Sequence, residues 1–194
     1  ANVVVRHSGG LEQSYGSGVV VKVRDHRAYI LTNKHVIGDA KGGNIQVLFY
    51  QREESKAEVE WTAPEGVDLA LLVCQAIALD GYQPIQLAEQ LAPTGESVFA
   101  VGNPMGLAWS YTEGSISGVR QTSGGPHGVE LYQTQTPINQ GNSGGGLYTR
   151  DGKLVGINTL TEDKQVAEGL SFSISSTTLL KLLEPGEKEK WFGE

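Results

Sequence analysis

The chain has 194 residues, which is enough for one large or two small domains that bury a substantial core. Its 26 glycines and its short runs of valine, isoleucine and leucine favour an all-β protein. The net charge of -7 disfavours nucleic acid or an anionic membrane surface as a partner, because such binding depends on clustered lysine and arginine.

The only cysteine, Cys74, lies in the apolar run LALLVCQ, where we expect a buried small hydrophobic side chain and not a reactive thiol. No apolar run approaches the roughly 18 residues that a membrane-spanning helix needs, so no membrane span is expected. The first residues, ANVVVRHSGG, lack the basic and apolar regions of a signal peptide. We therefore expect that an export signal has been removed or never existed.

Short runs with strand patterns recur through the first half of the chain, and turn residues separate them. They are GVVVKV from Gly18, RAYILT from Arg27, IQVLFY from Ile45, AEVEW from Ala57 and DLALLV from Asp68. After a more polar connector, DGYQPIQLAEQLAPTGE, the pattern resumes with SVFAVG, SYTEGSISGV, GVELYQTQT, GGLYT, KLVGINTL and LSFSIS. Two groups of about five or six short strands predict two β-barrels.

The pattern changes near the end, where SSTTLLKLL from Ser175 to Leu183 offers Ser or Thr caps followed by leucines at helical spacing. This pattern predicts a closing helix. The tail EPGEKEKWFGE is charged and interrupted by Pro185 and Gly186, as expected of a linker or a frayed terminus. The sequence thus predicts an N-terminal barrel in residues 1–85, a linker in 86–96, a second barrel with the helix in 97–183 and a charged tail in 184–194.

A glycine-rich stretch, TPINQGNSGGGLY from Thr136 to Tyr148, holds one serine, Ser143. Glycine this dense costs backbone entropy and offers no side chain to pack, so some local geometry must require it. A hairpin turn is one explanation, because Asn-Ser-Gly-Gly is good turn chemistry. A phosphate-binding loop is weakly supported, because no Gly-Lys-Ser/Thr follows the glycines. A catalytic serine is the third explanation, and it needs a base.

Four histidines could supply that base. His7 is expected in a disordered start, His26 in the polar loop RDHR and His127 in the turn-like SGGPHG, all as solvated loop residues. His35 differs, because it follows the strand AYILT in TNKHVI, where a short turn can hold an imidazole against the edge of a core. A structural histidine is the alternative at that position.

An orienting carboxylate has one distinctive candidate, Asp68, which opens the apolar run VDLALLVC. Burying a carboxylate costs several kcal/mol unless a partner donates hydrogen bonds to it, and a histidine N–H would serve. The alternative is that Asp68 ends the turn APEGV and faces water. The other candidates lie beside glycine or in charged loops and are interpreted as turn residues: Asp25, Asp39, Asp80, Asp151 and Asp163.

His35, Asp68 and Ser143 occur in the chain order of the chymotrypsin-type triad, with the first two in one strand group and the serine in the other. The motifs GSGVVV, ILTNKHVI, VDLALL, VFAVGNPMGL, QTQTPINQGNSGGGL and GLSFSIS resemble HtrA/Deg-type trypsin-like serine proteases in order and approximate spacing. The similarity runs from about Gly16 to Leu183. It implies two six-stranded antiparallel β-barrels, with His35 as general base, Asp68 as its orienting group, Ser143 as nucleophile and no cofactor or metal.

The resemblance also assigns the oxyanion hole to the backbone N–H groups of Gly141 and Ser143. Gly144 and Gly145 would let the following strand pass close beneath the substrate. Removing one oxyanion donor costs about 2.7 to 4 kcal/mol in a well-studied hydrolase. That exceeds the roughly 0.5 to 1 kcal/mol that a glycine costs within a regular element. A role in catalysis would therefore explain why so many glycines occur in this stretch despite their cost in stability.

In this family the S1 pocket, which receives the residue before the scissile bond, would be lined by Pro137, Ile138, Leu170, Ser171 and Phe172. None of these is a carboxylate, so a Lys or Arg side chain would be left unpaired, and a small or branched apolar residue is expected. Apolar pockets discriminate by only about 1 to 3 kcal/mol per methylene, so selectivity should be broad. The backbone of residues 170–172 is expected to pair with an extended substrate by strand addition.

Asn142 replaces the aspartate that precedes the nucleophile in digestive trypsins, so activation through a new N-terminus is not expected. The HtrA/Deg-type family instead controls its site by loop ordering and oligomer contacts. The candidate mobile loops are residues 120–128, 138–142 and 161–169. The resemblance also favours an extracytoplasmic or periplasmic location and allows a homo-oligomer or further domains outside these residues. Within these residues, no PDZ-like segment follows the helix.

These observations favour a cofactor-free serine endopeptidase that attacks extended or unfolded polypeptides through an acyl-enzyme. A trypsin-like peptide-binding module with a latent or unformed site is the alternative, and the intact His35, Asp68 and Ser143 argue against it. A metal hydrolase is disfavoured, because the sequence has no HExxH and no histidine pair at ligand spacing.

Overall fold

Two closed six-stranded antiparallel barrels form the molecule, which confirms the predicted fold class. The computed structural model describes residues 2–9, 12–38, 44–50, 54–75, 82, 85–103, 109–122, 128–159 and 171–193. The first barrel has the order β1-β2-β3-β6-β5-β4, with strands β1 (Asn2–Gly9), β2 (Glu12–Arg24), β3 (Arg27–Thr32), β4 (Ile45–Leu48), β5 (Glu54–Thr62) and β6 (Ala70–Gln75). The second has the order β10-β11-β12-β9-β8-β7, with strands β7 (Ser97–Gly102), β8 (Ser110–Thr122), β9 (Val129–Thr134), β10 (Gly146–Thr149), β11 (Leu154–Thr159) and β12 (Ser171–Ser175).

Apolar residues on both faces of several strands explain why these strands appear as continuous apolar runs in the sequence. On β2, Val20 points into the interior of the first barrel, whereas Val19 and Val21 belong to a cluster that includes Leu154 and Ile157 of the second barrel. Because successive side chains of a strand point to opposite faces, one strand can serve both cores. The contact between the barrels is therefore an apolar core of its own, and Cys74 is buried in the first barrel, as predicted.

The first strand, β1, corrects the prediction of a disordered start around His7. It pairs with β2 on one side and β4 on the other, with His7 opposite Ser14 and Ile45. This pairing closes the first barrel. The isolated segment NVVVRHSG gives a weak signal, because the partners that stabilise it lie elsewhere in the chain.

Helix α2 (Ser176–Leu182) confirms the predicted closing helix, and the side chain of Ser175 accepts the N–H of Thr178 as an N-cap. The expected frayed tail is instead a second helix, α3 (Pro185–Phe192), which buries Trp191 in the core between the barrels. Lys22 of the first barrel donates to the carbonyl of Gly193 at 2.6 Å. The prediction of a frayed terminus, made from the charge and the proline of this segment, was therefore wrong.

The predicted linker, residues 86–96, forms backbone hydrogen bonds with the second barrel along much of its length. Leu87 forms a parallel bridge with Leu154, and the Ala88 N–H donates to the Leu154 carbonyl at 2.9 Å. Near the other end, the Gly95 N–H donates to the Ile116 carbonyl at 2.8 Å. Within the described residues, no helix has the length and apolar character needed to cross a membrane.

Candidate active site

His35 is placed by a four-residue helix, α1 (Lys34–Ile37), that directly follows β3 and Asn33. Val36 and Ile37 are buried in the first barrel, and this anchors the helix while the His35 side chain stays 45% exposed. Fully buried Asn33 donates its side-chain amide to the Asp68 carbonyl at 2.7 Å. The two segments that carry the histidine and the aspartate are thus held together by a partly buried hydrogen bond.

Asp68 contacts His35 through both of its carboxylate oxygens. The backbone N–H of His35 donates to Oδ1 at 3.0 Å, and Nδ1 of the ring lies 2.6 Å from Oδ2. Partial burial raises the Asp68 pKa, but the hydrogen bonds and the charge attraction from His35 outweigh it, and the pKa of this carboxyl is lowered. The carboxylate is therefore ionised, and it favours the tautomer in which Nδ1 carries the proton and Nε2 accepts one.

Thr159, at the end of β11, is a site residue that the sequence analysis missed. Its hydroxyl donates to Oδ2 of Asp68 at 3.2 Å, and this bond also contributes to lowering the Asp68 pKa. The two residues are 91 positions apart and belong to different barrels. The place of Thr159 at the end of a largely apolar strand was the only signal that the sequence offered.

Ser143 lies in the loop before β10, at the contact between the barrels. Its carbonyl accepts the N–H of Ser17 from β2 at 2.8 Å, and the N–H of Gly144 donates to the Asn158 carbonyl at 2.9 Å. A Cβ on Gly16 would lie 2.6 Å from the methyl groups of Val36 and 3.0 Å from the Ser143 carbonyl oxygen. The serine backbone and the neighbour of His35 thus flank the same glycine.

The hydroxyl of Ser143 has no hydrogen-bond partner among the described residues, and the residue is only 2% exposed. The structure therefore brings His35 and Asp68 into direct contact, while Ser143 is held nearby without a hydrogen bond to the imidazole. Such bonds are often long or absent without substrate.

Two glycines of the loop adopt backbone angles that other residues avoid: Gly141 has φ +99° and Gly144 has φ +83°. A Cβ on Gly144 would lie 2.1 Å from the Ser17 carbonyl oxygen and 2.4 Å from the Thr32 hydroxyl. The expectation that Gly144 and Gly145 let the following strand pass close beneath the substrate stays a prediction, and the structure gives Gly144 a further reason. Gly144 lets the loop touch the first barrel.

The peptide unit between Gly141 and Asn142 is held at both ends. Its carbonyl accepts the Ser17 hydroxyl at 2.7 Å, and its N–H donates to the Asn139 carbonyl at 2.9 Å. Within the part of the chain that the structure describes, the N–H groups of Gly141 and Ser143 donate to no other group. Both amides remain available to an external acceptor, as an oxyanion hole requires.

Comparison with known proteins agrees with this arrangement. A family model described as a trypsin-like peptidase domain matches residues 16–157. The chain belongs to the trypsin-like peptidase family. It is similar to the Serine protease Do-like HtrA of Bacillus subtilis (35% identical, covering 89% of this chain and 39% of the relative) and to Serine endoprotease DegS of Salmonella typhimurium (36%, covering 89% and 48%). It is also similar to the crystal structure of the serine endoprotease from Yersinia pestis, with a TM-score of 0.75 and 34% identity over 99% of this chain and 62% of that one.

These similarities confirm the HtrA/Deg-type resemblance. The trypsin-like domain described here spans less than half the length of either named relative in sequence.

The two segments predicted to line the S1 pocket of this trypsin-like domain, residues 137–138 and 171–172, are in contact. The Ile138 N–H donates to the Ser171 hydroxyl at 3.2 Å, and the Thr112 hydroxyl donates to the Pro137 carbonyl at 3.1 Å. Phe172 is half-buried, and Leu170 lies outside the described residues. Assignment of these residues to substrate binding stays a prediction.

Strand addition at Phe172 is contradicted by the register of the second barrel. Phe172 lies opposite Thr159 of β11 on one side and opposite Gln133 of β9 on the other. A strand that is paired along both edges has no free backbone groups for a third. The substrate backbone therefore cannot add to Phe172, and strand addition at residues 170 and 171 stays a prediction.

Two of the remaining sequence candidates lie in exposed turns. His26 lies in the exposed turn between β2 and β3, and Asp151 in the hairpin between β10 and β11. His127, Asp39, Asp80 and Asp163 lie outside the described residues, as do the candidate loop 161–169 and residues 123–127 of the loop 120–128. The third candidate loop, 138–142, is described. In the parts of the chain that are described, no three His, Cys, Asp or Glu side chains are grouped as metal ligands.

Proposed function

We propose that this domain is a serine endopeptidase that cleaves polypeptides through an acyl-enzyme. The double contact between His35 and Asp68 carries the proposal, because it prepares the imidazole to accept a proton at Nε2. Ser143 is the nucleophile that this base serves. The open amides of Gly141 and Ser143 support the assignment of the oxyanion hole.

The reaction follows from these roles. Ser143 Oγ attacks the scissile carbonyl carbon while its proton moves to His35 Nε2, and the new imidazolium is stabilised by Asp68. The carbonyl oxygen gains the negative charge and accepts the N–H groups of Gly141 and Ser143. His35 then gives its proton to the leaving amine as the C–N bond breaks. A water molecule, deprotonated by His35, hydrolyses the ester that remains and restores the serine.

The substrate that we propose is an extended or unfolded polypeptide with a small or branched apolar residue before the cleaved bond. Pro137, Ile138, Ser171 and Phe172 support this specificity, because none of them could pair with a basic side chain. The relatives named serine protease and serine endoprotease support the reaction class. Association with further copies or further domains is part of the proposal, since the chain matches only part of those relatives.

One observation favours a second candidate function, a peptide-binding module with a latent site. The Ser143 hydroxyl is buried and makes no hydrogen bond with any described residue. A serine without a base is a weak nucleophile, so such a site would bind peptide without cleaving it.

Labelling with a fluorophosphonate separates the two functions, because the probe needs an activated serine and an oxyanion hole but no known substrate. We expect wild-type protein to label at about pH 8. The matched control is Ser143→Ala, which should bind an apolar peptide but neither label nor cleave it. Folded wild-type protein that binds peptide and fails to label would establish the peptide-binding module. Labelling that survives Ser143→Ala would assign the nucleophile to another residue.

A further inference from the structure

Ser17 lies on β2 of the first barrel, is fully buried, and contacts the nucleophile loop of the second barrel twice. Its N–H donates to the Ser143 carbonyl at 2.8 Å, and its hydroxyl donates to the Gly141 carbonyl at 2.7 Å. These two carbonyls belong to the two residues whose amides form the proposed oxyanion hole. Ser17 is thus the one described side chain that donates a hydrogen bond to a backbone carbonyl of that pair.

The direction of the Ser17 hydroxyl is fixed by Asn103, which follows β7. Both the backbone N–H and the side-chain amide of Asn103 donate to Ser17 Oγ, each at 2.9 Å. A hydroxyl has two acceptor sites and one proton, so the two donors occupy both acceptor sites. The single proton must then point to the Gly141 carbonyl.

Asn103 is itself fully engaged, so it cannot rotate its amide freely. Its Nδ2 also donates to the Val3 carbonyl at 3.0 Å, and its Oδ1 accepts the Trp109 N–H at 2.8 Å. The network therefore runs from β1 through Asn103 and Ser17 to the loop. Every residue of this network is buried or half-buried. At such positions a missing hydrogen bond lowers the free energy of unfolding.

The bond from Ser17 constrains the peptide unit that separates the two oxyanion donors. That unit is held at its carbonyl by Ser17 and at its N–H by Asn139. Without the Ser17 hydroxyl, only one end is fixed, and the unit can rotate about the glycine, which has few steric limits. Rotation there changes the direction of the Gly141 amide relative to the Ser143 amide.

Gly16, directly before Ser17, allows this close approach, because a Cβ there would lie 3.0 Å from the Ser143 carbonyl oxygen. Gly18, directly after Ser17, makes room within the first barrel, where a Cβ would lie 2.6 Å from the Ile30 side chain. The motif GSG therefore brings a strand of one barrel against the catalytic loop of the other and presents a hydroxyl to it.

We propose that Ser17, oriented by Asn103, is a positioning residue that sets the oxyanion hole from the opposite barrel. The inference rests on the proposed peptidase function. Ser17 touches no reacting atom, and its contribution is the alignment of two amides that bind charge only in the transition state. Its loss should lower kcat and leave KM nearly unchanged.

The test compares Ser17→Ala with Ser176→Ala. Ser176 is a matched control, because it is also a buried serine that donates to a backbone carbonyl, that of Ala88 at 2.6 Å, but on α2. On a peptide with an apolar residue before the cleaved bond, Ser17→Ala should lower kcat on the order of 10-fold or more, with KM changed by less than about threefold. Ser176→Ala should keep both constants. A folded Ser17→Ala protein whose kcat stays within about twofold of wild type overturns the proposal.

Hydrogen exchange of residues 139–145, followed by mass spectrometry, gives a second result that does not need activity. Exchange there should be faster in Ser17→Ala and unchanged in Ser176→Ala, since only the first loses a contact with this loop. If wild-type protein neither labels nor cleaves, the peptidase function fails, and the exchange result alone decides whether Ser17 holds the loop. Equal exchange in the two variants overturns the inference. Ser17→Cys, which keeps the side-chain volume and donates weakly, replaces Ser17→Ala if that variant does not fold.

Discussion

Asp68 accepts hydrogen bonds from both the backbone and the ring of His35, one on each carboxylate oxygen. The backbone bond fixes where the carboxylate lies relative to the helix that carries the histidine. The ring bond then fixes the tautomer and the plane of the imidazole. One side chain thus determines both the position and the protonation pattern of the proposed base.

Replacing Asp68 with asparagine should abolish most activity without unfolding the protein. The amide keeps the shape, but it has one acceptor in place of two and no charge to stabilise the imidazolium, so we expect a loss on the order of 10⁴-fold in kcat. The rate of fluorophosphonate labelling measures this without a known substrate. Asp151→Asn, in the exposed hairpin turn, is the control and should label normally. A labelling rate for Asp68→Asn within about threefold of wild type would mean that another carboxylate orients His35.

Thr159→Val should lower the labelling rate by about 10-fold, because a hydrogen bond to a charged group is removed while the side-chain shape is kept. The effect should be smaller than that of Asp68→Asn, since both bonds from His35 remain. Thr149→Val makes the same chemical change at a threonine that donates to Asp151 in a surface turn at 2.5 Å. That variant should be fully active. Equal activity of the two variants would show that Thr159 does not support the carboxylate.

Gly144→Ala should be far more harmful than Gly152→Ala, although the two glycines have nearly the same backbone angle, φ +83° and +86°. A Cβ at position 152 meets nothing within 4 Å, so only the backbone conformation costs energy, about 1 to 2 kcal/mol. At position 144 the Cβ also collides with Ser17 and Thr32 of the other barrel. We expect a larger drop in the free energy of unfolding, measured in urea, together with loss of activity. Equal destabilisation would show that the two barrels are not in such close contact there.

Glu130 is buried at the start of β9, and its pKa leads to a prediction of how the stability of the folded protein depends on pH. Burial raises the Glu130 pKa, but hydrogen bonds from Lys181 and Thr177 outweigh it and lower the pKa below its ordinary value of 4.5. A carboxyl with a lowered pKa in the folded state stabilises the protein above the ordinary value, and that stabilisation is lost as the pH falls through the folded pKa. Glu130→Gln should therefore lower Tm at neutral pH and flatten its decline between about pH 5 and 3. Glu58→Gln, at an exposed position on β5, should leave the curve unchanged. A Glu130→Gln curve parallel to that of wild type would contradict the role of this carboxylate.

The sequence predicted the barrels because the signals of their strands are local: short apolar runs separated by turn residues. The pairing of His35 with Asp68 was predicted from their order along the chain and from the HtrA/Deg-type resemblance, since the local pattern left each residue with a structural alternative. The prediction for Ser143 rested on a dense glycine run, and its catalytic role stays a prediction.

Ser17 and Thr159 could not be found in this way. Each acts through a partner on the other barrel, and neither residue type is unusual at its own position. Helix α3 differs from these two residues, because its own sequence carries a local signal for a helix start. Pro185 occupies the first turn, and the side chain of Glu187 accepts the Glu184 N–H at 2.9 Å, a typical helix start.

The division of the site between two barrels also determines how much of the chain the proposed activity requires. Residues 2–75 contain the whole first barrel with His35 and Asp68, and they are synthesised before Ser143. A chain that ends within the first barrel thus carries the proposed base without the proposed nucleophile. The proposed cleavage requires both barrels, because the loop that holds Ser143 docks against Ser17 of the first barrel.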